Sequence, residues 1–206
     1  MIDMYVWGTD NGYKARLVIE ESGLEHRIKP VNLQKKEQLT PDFIKISPAH
    51  KIPAMVDHDG PGGKPLTLCE SGAILKYVAE KSGKLYPKDP LARVKCDQWL
   101  FFASSSFTPI AQQFSLFLFR FGQDVPPAKK HYEEKYRELL GVYETHFASN
   151  RYLVGDEYSV ADIATFPDVH QHDRLGVKLD GMPNLKRWLD SIAARPAAVK
   201  ALAPMH

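Results

Sequence analysis

Two adjacent polar residues of this sequence are suited to binding a charged ligand. Glu70 and Ser71 follow a short β-prone run, residues 66–69, and precede an amphipathic helical run, residues 72–81. The start of a helix presents unpaired backbone N–H groups and the positive end of a dipole, which together hold a carboxylate. With an acid and a hydroxyl added, this turn could bind both the carboxylate and the ammonium of a free amino-acid head group. A plain helix cap at Ser71 is the alternative interpretation.

The elements around this turn alternate between strand and helix up to residue 82. Apolar periodicity predicts strands over residues 2–7, 27–31, 54–57 and 66–69, and helices over residues 13–22, 40–46 and 72–81. The run Gly60-Pro61-Gly62-Gly63 between the last two strands is a strong hairpin signal. The order β-α-β-α-β-β-α predicts an α/β domain over residues 1–82, with helices packed on a mixed sheet.

After residue 90 the apolar residues recur at helical spacing to the end of the chain. Helices are predicted over residues 91–119, 128–147, 160–172, 185–194 and 197–202. Ser159 and Asp162 have the spacing of a capping box, which we interpret as a determinant of folding and not as chemistry. The sequence therefore predicts an all-helical domain over residues 91–206, joined to the first domain by a linker over residues 83–90.

Composition restricts the classes of partner. The net charge of +2 and the lack of a basic run give no reason to expect nucleic acid. No apolar stretch approaches the roughly 20 residues that span a bilayer, and the first residues lack an apolar signal core. Two cysteines, Cys69 and Cys96, are too few for a metal site or a disulfide framework. We expect a cytoplasmic protein without a metal and without a membrane or nucleic-acid partner.

Four motifs, taken in order, resemble those of the cytosolic glutathione transferase superfamily. They are Trp7-Gly8-Thr9-Asp10-Asn11-Gly12, Lys51-Ile52-Pro53-Ala54, Glu70-Ser71-Gly72-Ala73-Ile74 and Ser159-Val160-Ala161-Asp162-Ile163-Ala164. The first motif and the hairpin Asp59-Gly60-Pro61-Gly62-Gly63 are more narrowly similar to the bacterial nu class, a relative of the yeast nitrogen-regulator branch. The resemblance covers essentially the whole chain. It implies a thioredoxin-like N-terminal domain, an all-helical C-terminal domain, a homodimer and a cis peptide bond before Pro53.

The resemblance also implies where the reactive sulfur of glutathione binds. A thiol with a pKa of about 8.5 is only slightly ionised near neutrality, so the site must stabilise the thiolate. Thr9 and Asn11 lie in the loop between the first strand and the first helix, where a hydroxyl, an amide and the helix start can point donors at one sulfur. Both are therefore catalytic candidates. Simple turn chemistry is the alternative for this pair.

The rest of glutathione is expected to lie along the same domain. The glycine carboxylate would meet Gln38 and Lys51, and the cysteinyl backbone would pair with Ile52, next to Pro53. The γ-glutamyl end would be held by Glu70 and Ser71.

Two further residues have open roles. Tyr5 lies near where other transferase classes place a catalytic tyrosine, which makes it a rival donor to Thr9, although it shares a strand face with Trp7 and a packing role is favoured. His131 lies near the position of an arginine that reaches a second glutathione in nu-class proteins. A histidine there would weaken that contact unless it is protonated, and a solvated helix residue is the alternative.

The resemblance implies a glutathione-dependent enzyme. We expect a disulfide-bond reductase that uses glutathione, reduced or oxidised, as its thiol pair, with conjugation or peroxide reduction as side activities on a small disulfide or electrophile. The alternative is a glutathione-binding regulatory or carrier protein with little catalysis. A thioredoxin-like oxidoreductase with its own redox cysteine fits poorly, because the opening loop has no cysteine.

Overall fold

The structure, a computed structural model, describes residues 1–205 in two units. Residues 1–86 and 195–205 form the first unit, and residues 87–194 form the second. Each unit has its own buried apolar core.

A four-stranded mixed sheet forms the centre of the first unit. Its strands are β1 (Ile2–Val6), β2 (His26–Pro30), β3 (Ala54–Asp57) and β4 (Leu66–Cys69), and its first helices are α1 (Asp10–Ser22), α2 (Pro41–Ile46) and α3 (Ser71–Ser82). The strand order is β2-β1-β3-β4. Strand β1 is parallel to β2 and antiparallel to β3, and β3 and β4 form the antiparallel hairpin. This architecture confirms the predicted α/β fold.

Helices make up the remainder of the chain. They are α4 (Pro90–Phe102), α5 (Thr108–Phe119), α6 (Pro126–Phe147), α7 (Val160–His170), α8 (Pro183–Ala193) and α9 (Pro196–Leu202). The predicted capping box forms at the start of α7. Within the described residues, no helix combines the length and the apolar character that a membrane crossing requires.

The single helix predicted over residues 91–119 is interrupted by a π-helical turn, Ala103–Phe107. Pro109 has no N–H to donate to a carbonyl in the preceding turn, which breaks the regular hydrogen-bond ladder. The hydroxyls of Ser104 and Ser105 donate to the carbonyls of Leu100 and Phe101 at 2.6 and 2.7 Å.

The last helix packs on the first unit, whereas the sequence prediction included it in the helical domain. Charged side chains fix it against α1. Arg16 donates to the carbonyls of Lys200 and Ala203, both at 2.8 Å, at the end of α9. Lys200 pairs with Glu20 at 2.7 Å. These polar contacts are not visible in the apolar periodicity on which the predicted boundary rested.

Gly12 controls the junction between β1 and α1. A Cβ atom built at this position would lie 2.0 Å from the carbonyl oxygen of Trp7. Non-bonded atoms do not approach so closely, so any side chain at this position would force the backbone to move. Glycine therefore allows α1 to begin directly against the end of β1. The loop of residues 7–9 is fixed by this close approach.

We predict that Gly12→Ala lowers the free energy of unfolding by about 1–3 kcal/mol, because overpacking displaces the backbone. Gly141→Ala is the matched control, since Gly141 is also helical but a Cβ there meets no atom within 4 Å. That control should raise stability by about 0.4–1 kcal/mol. Denaturant unfolding measures both, and equal effects would contradict the role given to the Trp7 contact.

Candidate functional site

The register of the sheet brings three of the predicted segments to one end of the first unit. Tyr5 is paired with Ala54 across β1 and β3, and Ala54 is paired with Cys69 across β3 and β4. The chain that leaves β1, the chain that enters β3 and the chain that leaves β4 therefore emerge side by side. Neighbouring strands lie about 4.8 Å apart, so the outer two segments are separated by about 10 Å. That is about the length of three extended residues.

The segment after β1 is a capped helix start. Thr9 has extended backbone angles, and its Oγ1 accepts the N–H of Gly12 at 3.2 Å. Helix α1 therefore begins at Asp10, three residues before its predicted start. A hydroxyl that accepts one hydrogen bond still has its own proton to donate, so capping and sulfur binding are compatible at Thr9. The N–H of Asn11 lies in the first turn, where helix geometry provides no acceptor.

Lys14, one turn further along α1, is a neighbour of this loop that the sequence motifs did not predict. Lys14 is only 2% exposed, and its Nζ donates to Oδ1 of Asn11 at 3.0 Å. The two residues are three apart on one helix and thus share a face. The available signal was a lysine on the same helical face as Val18, next to the apolar run of α1.

The segment before β3 carries the second group of candidates. The Ile52–Pro53 peptide bond is cis, as the resemblance implies. Ser47, which is 1% exposed, donates its hydroxyl to the carbonyl of Lys51 at 2.8 Å and fixes the backbone before this bond. The Lys51 side chain is exposed, while Ile52 packs partly buried against the small core that includes Phe43.

The turn after β4 differs from a plain helix cap. Ser71 is the first residue of α3, and Glu70 is the capping residue, although its side chain makes no capping hydrogen bond. Glu70 has φ 70° and ψ 116°. Residues other than glycine rarely adopt this backbone conformation, which costs on the order of 1–3 kcal/mol. The plain-cap interpretation of Ser71 therefore does not describe this structure. The carboxylate of Glu70 is exposed at the end of the sheet.

Gln38 lies in a 3-10 turn, Glu37–Leu39, after β2. Its Oε1 is buried, and no donor among residues 1–205 reaches it. Such an atom can accept an N–H from a bound molecule.

Tyr5 and His131 stand apart from this group. Tyr5 is half-buried in β1, with its ring edge-on to Phe43 at 6.2 Å, and burial, followed by the charge of Asp3, raises the pKa of its hydroxyl. These contacts support a packing role. His131 is exposed on α6 in the second unit, where its ring contacts that of Tyr132 at 5.2 Å.

The two cysteines are free thiols in different units. Burial raises the pKa of the Cys96 thiol to about 11, so it is protonated near neutrality and unreactive. Cys69 is the last residue of β4 and is half-buried. In the described part of the chain, no three histidine, cysteine or acidic residues are grouped so that they could hold a metal ion.

The fold is a thioredoxin-like domain followed by helices, with three polar segments side by side at one end of its sheet. The family model described as the glutathione S-transferase N-terminal domain matches residues 3–80, and its C-terminal counterpart matches residues 106–196. This chain belongs to the glutathione S-transferase family, which confirms the predicted family.

Individual relatives resemble nearly the whole chain. The disulfide-bond oxidoreductase YfcG of Escherichia coli strain K12 is 39% identical over 98% of this chain and 94% of that protein. The transcriptional regulator URE2 of Saccharomyces cerevisiae is 28% identical over 93% of this chain, which spans 64% of URE2. A solved glutathione transferase family member from Pseudomonas fluorescens Pf-5, with two glutathione bound, has a TM-score of 0.92 at 36% identity, covering 98% of this chain and 92% of that one.

We predict that Glu70→Gly separates stability from binding. Glycine relieves the unusual backbone, so the free energy of unfolding should stay level or rise by about 1 kcal/mol. Affinity for glutathione should fall at least about tenfold, because a charge-assisted contact is lost. Lys36→Gly is the control, since Lys36 also has a positive φ of 58°. It should affect stability similarly and leave affinity unchanged. Unchanged affinity in Glu70→Gly would remove Glu70 from the site.

Proposed function

We propose that this protein is a glutathione-dependent disulfide-bond reductase. The observation that carries the proposal is the alignment of three polar segments at one end of the sheet, over a length that suits a tripeptide. The similarity to a disulfide-bond oxidoreductase over nearly the whole chain supports the reaction class. Conjugation and peroxide reduction, which need the same thiolate, are expected side activities.

The tripeptide would be seated with its two charged ends apart. Glu70 binds the ammonium of the γ-glutamyl end, and the start of α3 at Ser71 binds its carboxylate. The backbone of Ile52, held next to cis-Pro53, pairs with the cysteinyl residue as an added strand would. Lys51 and Gln38 meet the glycine carboxylate end.

Neutral donors would ionise the sulfur. Thr9 donates its hydroxyl, and Asn11 donates its side-chain amide or its backbone N–H, at the positive end of α1. Preorganised donors favour the thiolate over the thiol, which lowers the thiol pKa toward neutrality. A larger thiolate fraction raises the rate of attack on a disulfide.

The reaction proceeds in two exchanges. The glutathione thiolate attacks one sulfur of the substrate disulfide, forms a mixed disulfide and releases the other sulfur as a thiolate, which takes up a proton. A second glutathione thiolate then attacks the glutathione sulfur of the mixed disulfide and releases the remaining substrate thiolate. Two glutathione molecules lose the two electrons that the substrate gains, and they leave as oxidised glutathione. His131 is the candidate for contact with the second molecule.

We further propose that the protein is a cytoplasmic homodimer. Leu91, Val94 and Phe101 are 69%, 64% and 66% exposed and recur at helical spacing along one face of α4. Apolar side chains in such a row favour a protein partner. A second copy of the chain, related by two-fold symmetry, can cover the row with the same row of its own.

A regulatory or carrier role is the second candidate, favoured by the similarity to URE2. Retention on glutathione resin, with turnover of no disulfide, hydroperoxide or aryl halide, would support this role over the enzyme.

We predict that Thr9→Ala and Asn11→Ala each lower kcat/KM for a model disulfide by about tenfold or more, because one donor to the thiolate is lost. Cys69→Ser with Cys96→Ser should keep the activity, since no protein thiol takes part. Steady-state assays with oxidised glutathione as the measured product test both. Full activity in the first two variants would reject the assignment, and loss in the cysteine pair would favour a protein thiol instead.

We predict that Phe101→Asp converts the dimer to a monomer, because it places a charge in the buried centre of the contact. Val199→Asp is the control, since Val199 on α9 is 62% exposed but lies off the α4 row. Sedimentation velocity distinguishes the states. A wild-type monomer, or a Phe101→Asp dimer, would contradict this interface.

A further inference from the structure

Lys14 is unusual for its burial. It is 2% exposed, and a long charged side chain seldom stays out of water unless its charge is used. Its Nζ reaches back one turn to Oδ1 of Asn11 at 3.0 Å. A cation near a helix N-terminus opposes the helix dipole, so the position is unfavourable for the helix itself. Asp10, also in the first turn, supplies one negative charge nearby.

The contact fixes the orientation of an amide. An asparagine side chain has an acceptor end and a donor end of almost equal size, and either end can face a polar neighbour. An ammonium group has donors only. Lys14 therefore requires the carbonyl oxygen of Asn11 to face it, which turns the NH₂ group away. Polarisation of the carbonyl by the ammonium also makes that NH₂ group a stronger donor.

We propose that Lys14 is a positioning residue for the thiolate: it holds the amide of Asn11 so that the NH₂ group faces the glutathione sulfur. The inference rests on the proposed function, since it requires that Asn11 donates to that sulfur. Lys14 acts through Asn11 and does not touch glutathione.

The test compares Lys14→Met, Lys14→Gln and Lys14→Arg with the unaltered protein. Calorimetry with reduced glutathione comes first, and ultraviolet titration of the bound thiolate follows. Lys14→Met should bind glutathione as tightly as the unaltered protein at acidic pH, where the bound thiol is protonated in both, and up to about tenfold more weakly at a pH where the bound thiol is ionised. The pKa of the bound thiol should rise by about one unit, which lowers the thiolate fraction, and with it disulfide reduction near neutral pH, by up to about tenfold. At alkaline pH the rate of disulfide reduction by Lys14→Met should approach that of the unaltered protein. A variant that had lost its structure would stay slow at every pH.

The other variants separate orientation from packing. Lys14→Arg keeps a donor-only cation and should restore most of the lowered thiol pKa. Lys14→Gln keeps an uncharged donor and should fall between Arg and Met. If Lys14→Met does not fold, the ranking of Gln and Arg against the unaltered protein still tests the proposal. Asp10→Asn changes the charge of the same turn, leaves the Lys14–Asn11 contact in place and should not raise the thiol pKa.

A double-mutant cycle decides whether Lys14 works through Asn11. The double variant Asn11→Ala with Lys14→Met should reduce the disulfide at a rate within about twofold of that of Asn11→Ala alone, because the amide to be positioned is gone. Fully additive losses, or an unchanged thiol pKa in Lys14→Met, would overturn the proposal. If the unaltered protein itself fails to bind glutathione or to reduce a disulfide, the proposed function is wrong. If the unaltered protein is active but the Lys14 variants behave otherwise than stated, only the role of Lys14 is wrong.

Discussion

Gly12 lies against the carbonyl of Trp7, and the placement of the whole candidate site follows from that contact. The absence of a side chain at residue 12 lets α1 start at the end of β1, with Thr9 as its cap. The helix N-terminus is thereby fixed to the sheet, and the sheet fixes the distance from that terminus to Glu70 by the spacing of two strand pairs. Thr9 and Glu70 lie far apart in the sequence, and the backbone hydrogen bonds of the sheet hold them at a set separation.

In the proposed reaction, the site uses backbone groups and neutral side chains where other redox proteins use a cysteine. Burial keeps the Cys96 thiol protonated near neutrality, and the loop after β1 contains no cysteine. We therefore propose that the ionised sulfur comes from the ligand and that the protein supplies donors that favour its charge. The strained backbone of Glu70 is consistent with this proposal. Strain at one residue is tolerated where it presents a side chain to a ligand, and here that side chain is a carboxylate.

Much of this architecture could be predicted from the sequence, and the reasons for the misses are physical. The strands over residues 54–57 and 66–69 were predicted with their observed bounds, because glycine and proline delimit the hairpin between them. The start of α1 was placed three residues late, since Thr9 signals a cap only through a hydrogen bond to Gly12. The attachment of α9 to α1 depends on Arg16 and on backbone carbonyls, which leave no periodic pattern. Lys14 was missed because its burial is a property of the fold and not of its residue type.

The central claim is that a tripeptide thiol lies across the sheet end and is ionised by neutral donors of the protein. A crystal structure with reduced glutathione tests this claim most directly. We expect the sulfur within hydrogen-bond distance of Thr9 Oγ1 or Asn11 Nδ2, and the γ-glutamyl end on Glu70 and the start of α3. A sulfur remote from the start of α1, or a ligand bound elsewhere on the chain, would contradict the account.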